Sequence, residues 1–91
     1  MEVRHDEQAQ EFVIDLDGGR AYLSYRDEGD GVINLAHTEV PEENEGEGLG
    51  SKLAKAAMSH AESNGLKIRP GCAFVQSWLK KHPEYQKLVA K

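Results

Sequence analysis

Hydrophobic positions alternate with polar ones through the first half of this chain and recur at three- and four-residue steps through the second. From Glu11 to Leu16, Phe12, Ile14 and Leu16 share one side while Val13 and Asp15 share the other, the period-two pattern of a half-buried strand. Arg20 to Arg26 alternates again, with Ala21, Leu23 and Tyr25 set against Tyr22 and Ser24. Asp17-Gly18-Gly19 between them supplies the glycines a tight hairpin needs. Ahead of this hairpin, Met1 to Gln10 has little periodicity, with Val3 as the start of a short edge strand; behind it, Asp27 to Gly31 reads as a second turn. Val32 to Val40 is apolar on both parities (Val32, Ala36 and Val40; Ile33 and Leu35), which predicts a central strand covered on both faces. Pro41, with no N–H for a ladder, closes it.

The period then changes. Leu49, Leu53, Ala56, Ala57, His60 and Ala61 form one stripe of a helix from Leu49 to Asn64, with Lys52, Lys55, Ser59 and Glu62 on its outer side. Asn64-Gly65 suits a left-handed C-cap, and Leu66 to Arg69 is expected to return as a strand parallel to the third. After Pro70-Gly71, Ala73 to Lys81 reads as a second helix with Val75, Trp78 and Leu79 inward and Gln76, Lys80 and Lys81 outward, stopped by His82-Pro83. A last turn from Glu84 to Val89 carries Tyr85 and Leu88. The order of elements predicts an α/β fold of the α+β kind: an antiparallel hairpin leading into a mixed, mostly antiparallel sheet, covered by a long central helix and C-terminal helices. With no repeat or linker in 91 residues, positions 1–91 are expected to form a single domain.

Composition narrows the function classes. A formal charge of −5 argues against a nucleic-acid partner bound through a basic face. No apolar stretch approaches the ~18 residues of a membrane span, and Met1 to Gln10 is too polar for a signal sequence, so a cytoplasmic monomer without a membrane partner is expected. Glu39, Glu42, Glu43, Glu45 and Glu47 crowd the centre of the chain, while Lys80, Lys81, Lys87 and Lys91 collect near its end. Cys72 stands alone, either as a small core residue or as a reactive thiol; the start of a helix lowers a thiol pKa. No His, Cys, Asp or Glu set has ligand spacing, and no metal is expected.

The stretch Val40 to Ser51, Val-Pro-Glu-Glu-Asn-Glu-Gly-Glu-Gly-Leu-Gly-Ser, joins the third strand to the long helix. First-turn N–H groups without helical partners, the macrodipole and missing Cβ atoms make such a place fit for a phosphate or pyrophosphate. A Walker A loop is excluded because Ser51 precedes Lys52, and a dinucleotide-binding fingerprint because position 51 is not glycine. The spacing Gly48-x-Gly50, after a strand ending in Val40-Pro41 and before a long amphipathic helix, instead resembles the acetyl-CoA pyrophosphate loop of the GCN5-related N-acetyltransferases, Gln/Arg-x-x-Gly-x-Gly/Ala. His37-Thr38-Glu39-Val40-Pro41, Gly46-Glu47-Gly48-Leu49-Gly50, Cys72-Ala73-Phe74-Val75, His82-Pro83-Glu84-Tyr85 and Leu88-Val89 carry the resemblance to the minimal, single-domain members. Glu45 departs from it, standing where the pattern has Gln or Arg.

The resemblance implies an acyl-CoA N-acyltransferase fold, with acetyl-CoA as acetyl donor and an amine as acceptor, a protein lysine or a small amine. It assigns cofactor binding to Val40, Glu45, Gly46, Glu47, Gly48, Leu49, Gly50 and Ser51, with the N–H groups of Gly46 to Gly50 on the pyrophosphate. The third strand and the returning one would splay apart near Glu39 and Val40 to admit the pantetheine arm. Cys72 would lie near the thioester, as a nucleophile or a site of mixed disulfide. His37 and Glu39 share a strand parity, so either is a candidate base for the acceptor amine, or His37 is a hydrogen-bonded histidine of the sheet. An acidic rim of Glu39, Glu42 and Glu43 would draw in a cationic acceptor. His60 is expected in the core stripe, His5 exposed, and His82 at a helix end; Phe74, Trp78 and Tyr85 are expected to pack the second helix onto the sheet. The other function considered is a non-catalytic CoA-binding or protein-interaction module.

Overall fold

In the computed structural model, which describes residues 2–91, the alternating first half forms an antiparallel meander. Arg4–Asp6 (β1) lies on the edge beside Glu11–Leu16 (β2), and the Asp17-Gly18 turn, with Gly18 at φ 78°, folds β2 back on Gly19–Gly29 (β3). A second two-residue turn, Asp30-Gly31, leads into Val32–Glu39 (β4). Both turn residues have positive φ, 54° and 76°, as a type I′ hairpin requires. β3 is thus longer than the alternation from Arg20 to Arg26 suggested. Residues 27–29, read as turn from their composition, stay in the ladder through an irregularity between Asp27 and Gly29 in which Asp27 accepts the Gly29 N–H.

Among the described residues, only one face of this sheet is covered. Phe12, Ile14, Ala21, Leu23, Tyr25, Ile33 and Leu35 pack against the helices, whereas Val32, Asn34 and Ala36 of β4 are only half-buried. The expectation that β4 is covered on both faces is corrected here: its second apolar parity meets no second layer among the described residues. Val13, expected on the polar side, is fully buried on that open face. Its row neighbours explain this: the Arg4–Asp15 and Arg20–Glu11 pairs and the Tyr22 ring, capped by the Arg20 guanidinium, roof it with their aliphatic and aromatic parts.

Leu49–Ser63 (α1) crosses the covered face, burying Leu49, Leu53, Ala57 and Ala61 as its stripe predicts, and also Gly50, Ala54 and Met58, while Ala56 and His60 of the expected stripe are only half-buried. The buried arc is wider than one stripe because α1 touches β2, β3, β5 and the second helix. Gly65, at φ 65°, ends it as expected; the Leu66 N–H reaches back to the Ala61 carbonyl at 2.8 Å. Lys67–Arg69 (β5) then pairs parallel to β4, from Val32↔Lys67 to Asn34↔Arg69. There β5 stops. Residues 35–39 of β4 continue without a strand on that edge, and Ala73–Lys81 (α2) lies beside them. A 3-10 turn, Pro83–Leu88, returns the chain so that Val89 bridges Ile68.

Candidate functional site

The parting of β4 from β5 opens a cleft of about 700 Å³. Its walls are Thr38, Glu39 and Val40 at the end of β4, the loop and first turn of α1 from Asn44 to Ser51, and Phe74, Trp78, Lys81 and His82 along α2. The expected opening beside β4 is present, but it arises because β5 ends at Arg69, opposite Asn34, and not because two strands diverge at Glu39 and Val40.

The loop presents donors rather than a closed turn. Glu42–Asn44 forms one turn of 3-10 helix, after which Gly46 and Gly48 take φ 87° and 76°, a region that disfavours any side chain with a Cβ. The Glu47 N–H is engaged by the Asn44 carbonyl at 3.4 Å, and the Lys52 N–H by the Gly48 carbonyl at 3.1 Å. The N–H groups of Gly46, Gly48, Leu49, Gly50 and Ser51 have no backbone partner among the described residues. No side chain caps the helix at Gly48 either. Gly50 serves a different need, since a Cβ there would stand 2.7 Å from the Phe74 ring.

α2 is pinned to this turn. The Trp78 indole N–H donates to the Ser51 hydroxyl at 2.8 Å, and His82 and Tyr85 stack on Trp78 with centroids at 4.1 and 5.4 Å. At the other end of α2, Cys72 occupies the N-cap with its sulfur 3.5 Å from the Thr38 hydroxyl. Burial pushes the thiol pKa up, yet hydrogen bonds from the Thr38 hydroxyl and from the N–H groups of Val75, Phe74 and Thr38 outweigh it, so the thiol rests below its ordinary value.

Of the residues singled out by sequence, Val40, Glu45, Gly46, Gly48, Leu49, Gly50 and Ser51 line the cleft. Leu49 does so through its backbone, its side chain being in the core, and Glu47 lies outside the lining. Glu39 lines it too, and Cys72 stands directly behind Thr38. His37 and Glu39 lie on the same uncovered face, opposite Ser24 and Tyr22 and joined by a 3.1 Å hydrogen bond; His37 is outside the cleft lining and Glu39 borders it at the end of the strand. Thr38, Asn44, Lys81 and His82 were not recognised from sequence as part of the site; Phe74 and Trp78, expected to pack α2 onto the sheet, line it too, Phe74 being exposed with its ring on Gly50 of α1. The signal for the α2 residues was present: 74, 78 and 81 or 82 recur at steps of three and four, but Lys81 reads as solvated surface until the cleft beside α2 is seen. His5 is also corrected. Instead of being exposed it stacks on Phe12, meets the edge of His60 and hydrogen-bonds the Tyr25 hydroxyl.

Among the described residues, no three His, Cys, Asp or Glu side chains converge to hold a metal ion. The donors of the cleft suit a diphosphate-bearing ligand with a long flexible arm: five free amides at a helix N-terminus, a cation on the facing wall, and an unpaired strand edge that can hydrogen-bond amide groups.

A mixed sheet parted between its fourth and fifth strands beside a glycine-rich helix start defines the acyl-CoA N-acyltransferase class of α+β proteins. The chain belongs to the GCN5-related N-acetyltransferase family, whose model matches residues 11–88. It is similar to protein NATD1 of Gallus gallus, 36% identical over 91% of this chain and 77% of that protein, and to protein NATD1 of Danio rerio, 37% identical over 93% and 81%. A GCN5-like protein from Staphylococcus aureus, solved by NMR, matches with a TM-score of 0.77 at 36% identity, covering 98% of this chain and 87% of the other.

Proposed function

We propose that this protein binds acetyl-CoA in the β4–β5 cleft and transfers the acetyl group to an amine, a protein lysine or a small amine. The observation that carries this reading is the continuity of one cleft from Thr38, backed by Cys72, where the strand edge is free, to the unpartnered amides of Gly46 and residues 48–51. Gly46, Gly48, Leu49, Gly50 and Ser51 hold the diphosphate through backbone N–H, and the β4 edge at Val40 aligns the arm. Acetyl-CoA supplies an activated acetyl thioester.

Glu39 is the base at the cleft wall, accepting a proton from the incoming ammonium. His37, hydrogen-bonded to the Glu39 carboxylate, passes that proton toward the solvent on the uncovered face. Cys72 either protonates the departing sulfur or accepts the acetyl group first; its lowered thiol pKa supports both roles.

The test is a titration of isotope-labelled protein with acetyl-CoA, followed by release of free CoA thiol on adding amines. Amide shifts confined to residues 38–51 and 72–82, with amine-dependent thiol release, are expected. The absence of shifts at millimolar acetyl-CoA overturns the reading. Two carboxylates on the cleft wall, Glu39 and Glu45, favour a second reading as a CoA-binding or protein-interaction module without turnover. Binding without thiol release across a panel of amines selects it.

A further inference from the structure

The cleft has a direction, read from the contacts α2 makes along its length. Cys72 at its start meets Thr38, Phe74 lies on Gly50, Trp78 is bonded to Ser51, and Lys81 and His82 follow one turn later. A ligand whose thioester lies at Thr38 and whose diphosphate lies at residues 46–51 has its nucleoside end beside Lys81.

Charge is distributed to match. Lys81 is the single Lys or Arg in the lining, and the carboxylates there, Glu39 and Glu45, come from the opposite walls. Lys52 and Lys55 of α1 are exposed and outside the lining. Lys81 has no carboxylate partner among the described residues, unlike Lys87, which is held by Glu62. Its neighbour His82 is fixed by stacking on Trp78 and lies 3.9 Å from the Glu84 carboxylate. An unpaired ammonium on a short rigid platform is thus left facing the end of the cleft where a second phosphoryl group of the nucleotide would arrive.

We infer that Lys81, supported by His82, is the subsite for the 3′-phosphate of CoA and makes the protein select CoA over its 3′-dephospho form. This rests on the proposed acetyl-CoA reading. The diphosphate is left to the backbone amides, whose donation does not depend on side chains, so Lys81 discriminates between nucleotides without setting the grip on their shared part. The contact lies at an exposed rim, which makes it modest and sensitive to salt.

Calorimetric titration of the intact chain with CoA and with 3′-dephospho-CoA, for the native protein, Lys81→Met and Lys80→Met, tests this. The native protein is expected to bind CoA about tenfold more tightly than dephospho-CoA at low salt, a difference near that of one charge-assisted contact. Lys81→Met should bring that ratio to within about twofold while leaving dephospho-CoA affinity unchanged; Lys80→Met should leave the ratio as it is. If the native protein binds both nucleotides equally, the 3′-phosphate assignment is overturned and the cleft reading stands. An equal loss for both nucleotides in Lys81→Met also overturns it, moving Lys81 to the diphosphate. Failure of the native protein to bind either nucleotide removes the acetyl-CoA reading and this one with it.

Discussion

Ser51→Ala separates what holds the cleft together from what holds its ligand. Trp78 is 5% exposed, and its indole N–H has the Ser51 hydroxyl as acceptor at 2.8 Å. Removing that oxygen leaves a buried donor unsatisfied, at a cost of about 1–3 kcal/mol, from which the better helix propensity of Ala subtracts about 0.5 kcal/mol. For a domain of this size a net loss of about 1–2 kcal/mol lowers Tm by roughly 5–15 °C. Thermal unfolding followed by far-ultraviolet circular dichroism measures it. Trp78→Phe removes the donor, so Ser51→Ala made in that background should cost less by about 1 kcal/mol, the coupling between the two side chains. Ligand binding should respond differently: because the Ser51 contact to the diphosphate is assigned to its N–H, acetyl-CoA affinity below the melting range should fall by less than about threefold. Equal stability of Ser51→Ala and the native chain, or an equal cost with Trp78 and with Phe at 78, would refute the reasoning. A loss of affinity of a hundredfold with stability intact would show instead that the hydroxyl itself holds the ligand.

Two further outcomes follow from the titrating groups. Cys72 should be alkylated by iodoacetamide with a pH midpoint below that of the denatured chain, and Thr38→Val should move the midpoint up by removing a hydrogen bond to the thiolate; coincident native and denatured midpoints would contradict the geometry. The His5 pKa is lowered by burial first and by nearby His60 second, against the pull of Glu7 and Asp6, so its contribution to stability is complete above the unfolded value of 6.5 and is lost as pH falls below it. Thermal midpoints measured from pH 8 to pH 5 should therefore decline below 6.5 in the native chain and decline less in His5→Gln, whereas parallel curves would exclude His5 as the source.

The acidity of the loop takes on a different meaning in three dimensions. Glu45 is on the cleft wall and Glu47 is not, although they are two residues apart in one loop. Backbone donors tolerate this arrangement, because an N–H at a helix start keeps its direction whatever side chains surround it. Such a site depends on glycine conformation at positions 46 and 48 more than on positive side chains.

Periodicity determined much of this protein by itself. The extent of β2, the bounds of α2, the Gly65 cap and the loop at residues 46–50 are each set by neighbours in sequence, through alternation, capping and the backbone freedom of glycine. The sidedness of β4 was decided only by tertiary structure. Val32 and Ile33 are alike as residues, yet just one of them faces the buried core, and nothing local says that the other face lacks a second layer. The same holds for the site. His37 and Glu39 share a strand parity and do share the uncovered face, opposite Ser24 and Tyr22, but the irregularity opposite Ser24 and Tyr25 is what turns Thr38 toward the covered side and leaves Glu39 at the end of β4 on the cleft rim. Lys81 gains its place because β5 stops three residues after it begins and α2 falls into the gap. Short-range patterns fix how each segment folds, whereas which side chains meet depends on where one strand ends beside another, a contact between segments more than thirty residues apart.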